Sequence, residues 1–112
     1  MAQKVNGIFS NLARAARHKD WKGCGFLRSA VELIEQPGHP ALVVGRAHKK
    51  RVEDWLCCML EGDEDGAGSR RLAAQIVLLL DGAFATVLLH RDPCYFETAG
   101  LAAMTLIRNH KR

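Results

Sequence analysis

The sequence predicts an all-α fold, a five-helix, bundle-like domain over residues 1–112, and three observations carry that prediction. No stretch alternates apolar and polar residues with a period of two, whereas apolar residues recur at i, i+3, i+4 and i+7 along most of the chain. Only three prolines occur, Pro37, Pro40 and Pro93, each beside an expected break. The run from Leu72 to Leu89 is apolar nearly all round, and a helix of that kind must be enclosed on every side. One small domain covers it poorly, so part of its surface is expected to meet a second subunit.

Taken in order, the first helix is expected from about Gln3 to His18, with Val5, Ile8, Phe9, Leu12 and Ala16 at helical spacing. The stretch from Lys19 to Gly23 ends it, and a second helix opens near Gly25, burying Leu27, Ala30, Val31 and Ile34. Residues 36 to 40 form a stiff connector, because a proline disfavours a helical residue before it, and Pro40 suits a helix start. The third helix runs from Pro40 to about Glu61. Its apolar stripe is read as Ala41, Val44, Gly45, His48, Val52, Trp55, Leu56 and Met59, with Arg46, Lys50, Glu53 and Asp54 facing away. The acidic, Gly-rich residues 62 to 68 form the longest loop, and Ser69 is expected to cap the fourth helix. Asp92 is placed as the cap of the fifth helix and Pro93 as its first residue.

Composition narrows the function classes. The fourth helix reaches the lower edge of bilayer-spanning length, but Asp81 sits near its middle, where a carboxylate costs roughly 2.5–3.5 kcal/mol. A buried position in a bundle is the preferred reading, and no membrane partner is expected. The net charge of +4 comes from basic residues scattered along the helices and opposed by 12 acids, whereas a nucleic-acid footprint is a clustered stripe. The basic, acid-free start of the chain resembles a transit peptide superficially, but its apolar periodicity suits a packed helix and no secretory signal is present. A cytoplasmic location is expected. Cys24, Cys57, Cys58 and Cys94 show no CxxC spacing, and the five histidines no HxxxH or HExxH, so neither a disulfide framework nor a metal site is predicted. No catalytic residue, cofactor or enzymatic motif is identified.

A binding pocket fits the pattern better, since bundles hold small apolar molecules between their helices. The bulky or polar inward groups proposed to line it are Phe26, His48, Trp55, Met59, Leu80 and Phe84. A second surface is marked by small residues, which let helix backbones approach closely. Gln75, Gly82 and Thr86 on the fourth helix, with Ala99, Gly100, Ala103, Leu106 and Ile107 on the fifth, are expected to form a dimeric four-helix interface.

Several ordered pieces resemble a known family. They are the run Asp20-Trp21-Lys22-Gly23-Cys24-Gly25-Phe26, then Ala30 and Glu32, His39-Pro40, His48-Lys49, and Leu78-Leu79-Leu80-Asp81-Gly82-Ala83. Together they are similar to the C-terminal, effector-binding and dimerisation domain of TetR-family transcriptional regulators, over approximately residues 5 to 108. The chain departs from that branch at Gly25, where proline is usual. It also has no stretch before Val5 to hold the N-terminal helix-turn-helix, so DNA binding by this chain is not expected. What the resemblance implies is a homodimer whose last two helices pair with a partner's, and a pocket for a small apolar effector. Two alternatives stand beside it. One is an interaction protein that heterodimerises with a full-length regulator, and the other a thiol sensor or small helical enzyme using Cys57 or Cys58.

Overall fold

Val5, Phe9 and Ala13 recur every fourth residue and turn one continuous face inward, and they fix the buried side of helix α1 (Ala2–Ala16). The computed structural model describes residues 1–61 and 66–110, and among these all regular structure is helical. The remaining helices are α2 (Gly25–Glu32), α3 (Pro40–Glu61), α4 (Gly66–His90) and α5 (Cys94–Arg108). Their order in space differs from their order in sequence, for α1 packs on α5, α5 on α4, α4 on α3 and α3 on α2. The result is a slab whose Cα atoms extend over 40 × 33 × 15 Å, room in the thin direction for about two helix layers at interaxial distances of 8–10 Å.

The core lies where α1, α3, α4 and α5 meet. Phe9, Phe96, Leu56, Ile76, Val5 and Val87 are its largest fully buried side chains. On α4 the buried apolar residues are Leu72, Ala73, Ile76, Leu80, Ala83 and Val87, one side of the cylinder. A wall of aromatic rings closes the end of the core near the α4–α5 turn. Trp21 stacks on Phe84 (6.3 Å between centroids, 10° between planes), and Phe96 meets Phe84 edge-on at 5.1 Å.

The connections follow from local backbone demands. Gly23 adopts φ +82°, the left-handed conformation that favours glycine, and its Cα faces the Leu88 side chain as the chain turns toward α2. Arg91 closes α4 at φ 55°, its N–H donating to the Val87 carbonyl at 2.7 Å while its guanidinium donates to the Trp21 carbonyl at 3.3 Å. The Asp92 carboxylate accepts the Cys94 N–H at 3.0 Å across Pro93, the bond of an N-cap, although α5 itself begins at Cys94.

Three expectations require correction. Helix α4 starts at Gly66, so Gly66 to Gly68 are helical and Ser69 lies within the helix with its hydroxyl fully buried. Residues 62–65 of the expected loop lie outside the described residues. Val31 on α2 and Ile34 in the turn that follows it are exposed, at 74% and 75%, because α2 ends at Glu32 and this short segment rests on α3 by its Leu27–Ala30 side. The buried stripe of α3 runs through Leu42, Gly45, Leu56 and Leu60, rotated from the predicted one, and leaves Val44 and Trp55 outside. The rotated stripe passes through Lys49 instead of His48.

Candidate functional site

The inward side of α3 meets an acid of α4. Asp81 is the single acid in the apolar run of α4, and a carboxylate set among apolar side chains needs a cation within reach. Lys49 supplies it. Its Nζ donates to Asp81 Oδ1 at 2.7 Å and stands 5.6 Å from the centroid of the Phe84 ring. Both side chains are three-quarters buried, 25% and 28% exposed, whereas each of the other described pairs has at least one partner about half or more in solvent. The aliphatic stem of lysine lets α3 carry a cation on its inward stripe without breaking the packing.

Above this pair the three helices α2, α3 and α4 enclose a half-open cleft of about 640 Å³. That size is typical of small-molecule sites. Leu27 and Ala30 from α2 and Ile34 from the turn after it form one wall, Leu42, Gly45 and Ala47 from α3 the other, and Val77 from α4 the floor. Polar groups enter only from α3: Arg46, Lys49, Lys50 and Glu53. Arg46 donates to the Pro37 carbonyl at 3.0 Å, which ties α3 to the connector. Glu53 is held between Lys50, at 3.4 Å, and Arg70, at 3.5 Å.

The residues predicted to line a pocket are scattered by comparison. Trp55 is 53% exposed, on the outer side of α3. His48 is half-buried beside the stripe, Met59 packs against the core, and Leu80 is buried within it. Phe84 belongs to the aromatic wall and also edges a smaller cavity of about 270 Å³ with Cys24, Leu27, Val31 and Leu88. The side chain of Phe26 lies outside the described ones. The cleft thus takes its lining from residues one helical step away from those predicted. The signal that could have found it was Asp81 itself, whose need for a partner selects Lys49 as the inward residue of α3.

A second feature lies on the far side of α4. Gln75, Leu78, Gly82, Ala85 and Leu89 recur at intervals of three and four and are all exposed, Leu78 by 70% and Leu89 by 78%. No charged side chain interrupts this stripe. Among the described residues nothing outside the helix's own backbone stands within 4 Å of the position a Gly82 Cβ would take. Thr86, half-buried at its edge, donates its hydroxyl to the Gly82 carbonyl at 2.8 Å. On α5 the outward residues include Thr98, Leu101, Ala102 and Thr105, and again both threonine hydroxyls bond back to their own helix, to the carbonyls of Cys94 and Leu101. Threonines bonded in this way present methyl groups outward.

The predicted interface residues of α5 face elsewhere. Gly100 and Ala103 are buried beneath α1, and a Cβ on Gly100 would stand 2.8 Å from Phe9 Cβ and collide with Asn6 Oδ1. Ala99, Leu106 and Ile107 pack against the core. The small residues of α5 admit α1 of the same chain, not a partner's helix.

Among the thiols, Cys57 is buried and Cys58 and Cys94 are exposed. The neighbouring Asp92 carboxylate, by hydrogen bonding and by charge, raises the Cys94 thiol above its usual value. Exposed ion pairs link other elements: Arg17 to Glu97 at 2.7 Å, and Arg70 to Asp54 at 2.6 Å, each holding its guanidinium more firmly protonated. Among the described residues no group of three His, Cys, Asp or Glu side chains is placed to hold a metal ion. The segment Gly68–His90 is long and apolar enough to cross a bilayer by length and composition alone, with a mean hydropathy of 2.1. No protein-family model, curated protein or solved structure matches the chain.

Proposed function

We propose that this chain is a small-molecule-binding and homodimerising regulatory module of the kind found in TetR-family regulators. One observation carries the reading: α4 contributes to the cleft with Val77 on one side and leaves an uncharged stripe, Gln75 to Leu89, open on another. A helix so divided suits a module in which a bound molecule and a second subunit share one structural element. The surface area supports the second subunit. The chain exposes 7172 Å², about 1,000 Å² more than the roughly 6,100 Å² expected of a folded monomer of 12.4 kDa. Burying a standard interface takes about 800 Å² from each partner. A twin packed on α4 and α5 would complete a four-helix contact and cover Leu78 and Leu89, and the inward-bonded threonines would leave no hydroxyl unpaired at it.

The cleft is tested with a neutral apolar fluorophore, N-phenyl-1-naphthylamine, titrated into the purified protein. A saturable rise in emission is expected, one site per chain, lost in Ile34→Glu, where a charge enters the apolar wall at an exposed position that the fold does not need. Absence of saturable binding, or binding unchanged in Ile34→Glu, overturns the assignment of this cleft.

A further inference from the structure

The chemistry of the cleft specifies more than apolarity. Its wall and floor are aliphatic, Leu27, Ile34, Leu42 and Val77, whereas every charged group that reaches it stands on α3. Three of those are cations, Arg46, Lys49 and Lys50, against the single acid Glu53, which is already engaged by Lys50 and Arg70. An apolar channel with a cationic edge complements an amphiphile with an anionic head. The cations differ in availability. Lys50 lies mostly in solvent and Arg46 is exposed and bonded to the Pro37 carbonyl, while Lys49 is the shielded one, deepest on the inward stripe.

On this basis, and resting on the reading of the cleft as a small-molecule site, we infer that its ligand is a single-chain amphiphile with a carboxylate head that takes Lys49 away from Asp81. The exchange is balanced in charge. The ammonium keeps one carboxylate partner throughout, and Asp81, 28% exposed, regains water when it is released. Asp81 is therefore a competitor of the ligand for the same ammonium. That role separates it from an ordinary structural partner, because its removal strengthens carboxylate binding while removal of Lys49 weakens it.

The test is displacement of N-phenyl-1-naphthylamine by decanoate and by decan-1-ol, which share a chain and differ in the head, both kept below their self-association limits. Decanoate is expected to displace the fluorophore at concentrations about ten-fold lower than the alcohol, the effect of one hydrogen bond to a charged group. Lys49→Met should erase that advantage and Lys49→Arg should keep it. Asp81→Asn should enlarge it several-fold, each effect being read as the ratio of decanoate to alcohol displacement within the same variant. Equal displacement by the two ligands, or an Asp81→Asn variant that loses decanoate as Lys49→Met does, overturns the inference while the cleft assignment survives. If the fluorophore itself fails to bind, the cleft assignment falls first and the inference with it.

Discussion

Gly100 on α5 and Gly82 on α4 lie on neighbouring helices and meet opposite surroundings. Gly100 is pressed beneath α1, so close that a methyl group there would drive into Phe9 and Asn6, while around Gly82 nothing among the described residues outside the helix's own backbone stands within 4 Å. Both belong to stripes of small residues, and both look alike as sequence. The difference is in what fills the space. On α5 the filling comes from the first helix of the same chain, joined to it by the Arg17–Glu97 pair. On α4 no helix among the described residues covers Gln75, Leu78, Gly82 and Leu89 in this way, and the proposal is that a second copy does. A stripe of small side chains therefore identifies a close helix contact but not which chain supplies the partner.

The most damaging change to the inner contact should be Phe9→Ala. Phe9 is fully buried against α5, and a cavity of that size costs about 3–5 kcal/mol, measurable as a lower urea midpoint with the slope preserved. Gly100→Ala tests the same contact from the other side and should cost about 1–3 kcal/mol through overpacking, since backbone and Phe9 Cβ must move apart. The matched change Gly82→Ala meets open space in the single chain. It should leave folding stability unchanged or raise it by up to about 1 kcal/mol, the helix-propensity difference between the two residues. If Gly100→Ala and Gly82→Ala behave alike, the distinction between a filled and an open stripe is lost.

Ser69→Ala probes the first turn of α4, the helix that carries the open stripe. The Ser69 hydroxyl is fully buried, with no hydrogen-bond partner among the described residues, so removing it should stabilise the fold by about 1 kcal/mol in thermal or urea unfolding. A loss of stability would mean that the hydroxyl has a partner. The smallest effect is chemical. Because Asp92 raises the Cys94 thiol, less of it is thiolate at pH 8 than in an ordinary exposed cysteine, and its alkylation is slow. Asp92→Asn lowers that value again and should speed alkylation at Cys94, read by mass spectrometry of the labelled peptide, provided the start of α5 stays folded.

Periodicity made most of the architecture legible. The inward residues of α1 and the buried side of α4 follow from i, i+4 spacing, and the break at Pro37–Pro40 follows from proline geometry. Side-chain orientation on α3 was harder to read, because a lysine on an apolar stripe looks like an outward residue until its carboxylate partner is known. Lys49 and Asp81 are 32 residues apart, and only the packing of α3 on α4 joins them. The same limit explains the pocket. Trp55 and His48 were chosen for bulk and polarity, whereas the cleft is made by the gap that the short helix α2 leaves over Gly45 and Val77. Ser69 looked like a cap because serine so often is one, yet α4 extends a turn further toward its N-terminus.

Coverage of the open stripe of α4 by a second copy of this chain is read out by sedimentation velocity over a range of concentrations. A species of about twice 12.4 kDa is expected, dissociating to the monomer in Leu78→Lys, a substitution at a position 70% exposed in the single chain and so harmless to its folding. A wild-type protein that remains at 12.4 kDa at high concentration, or a dimer untouched by Leu78→Lys, would contradict it.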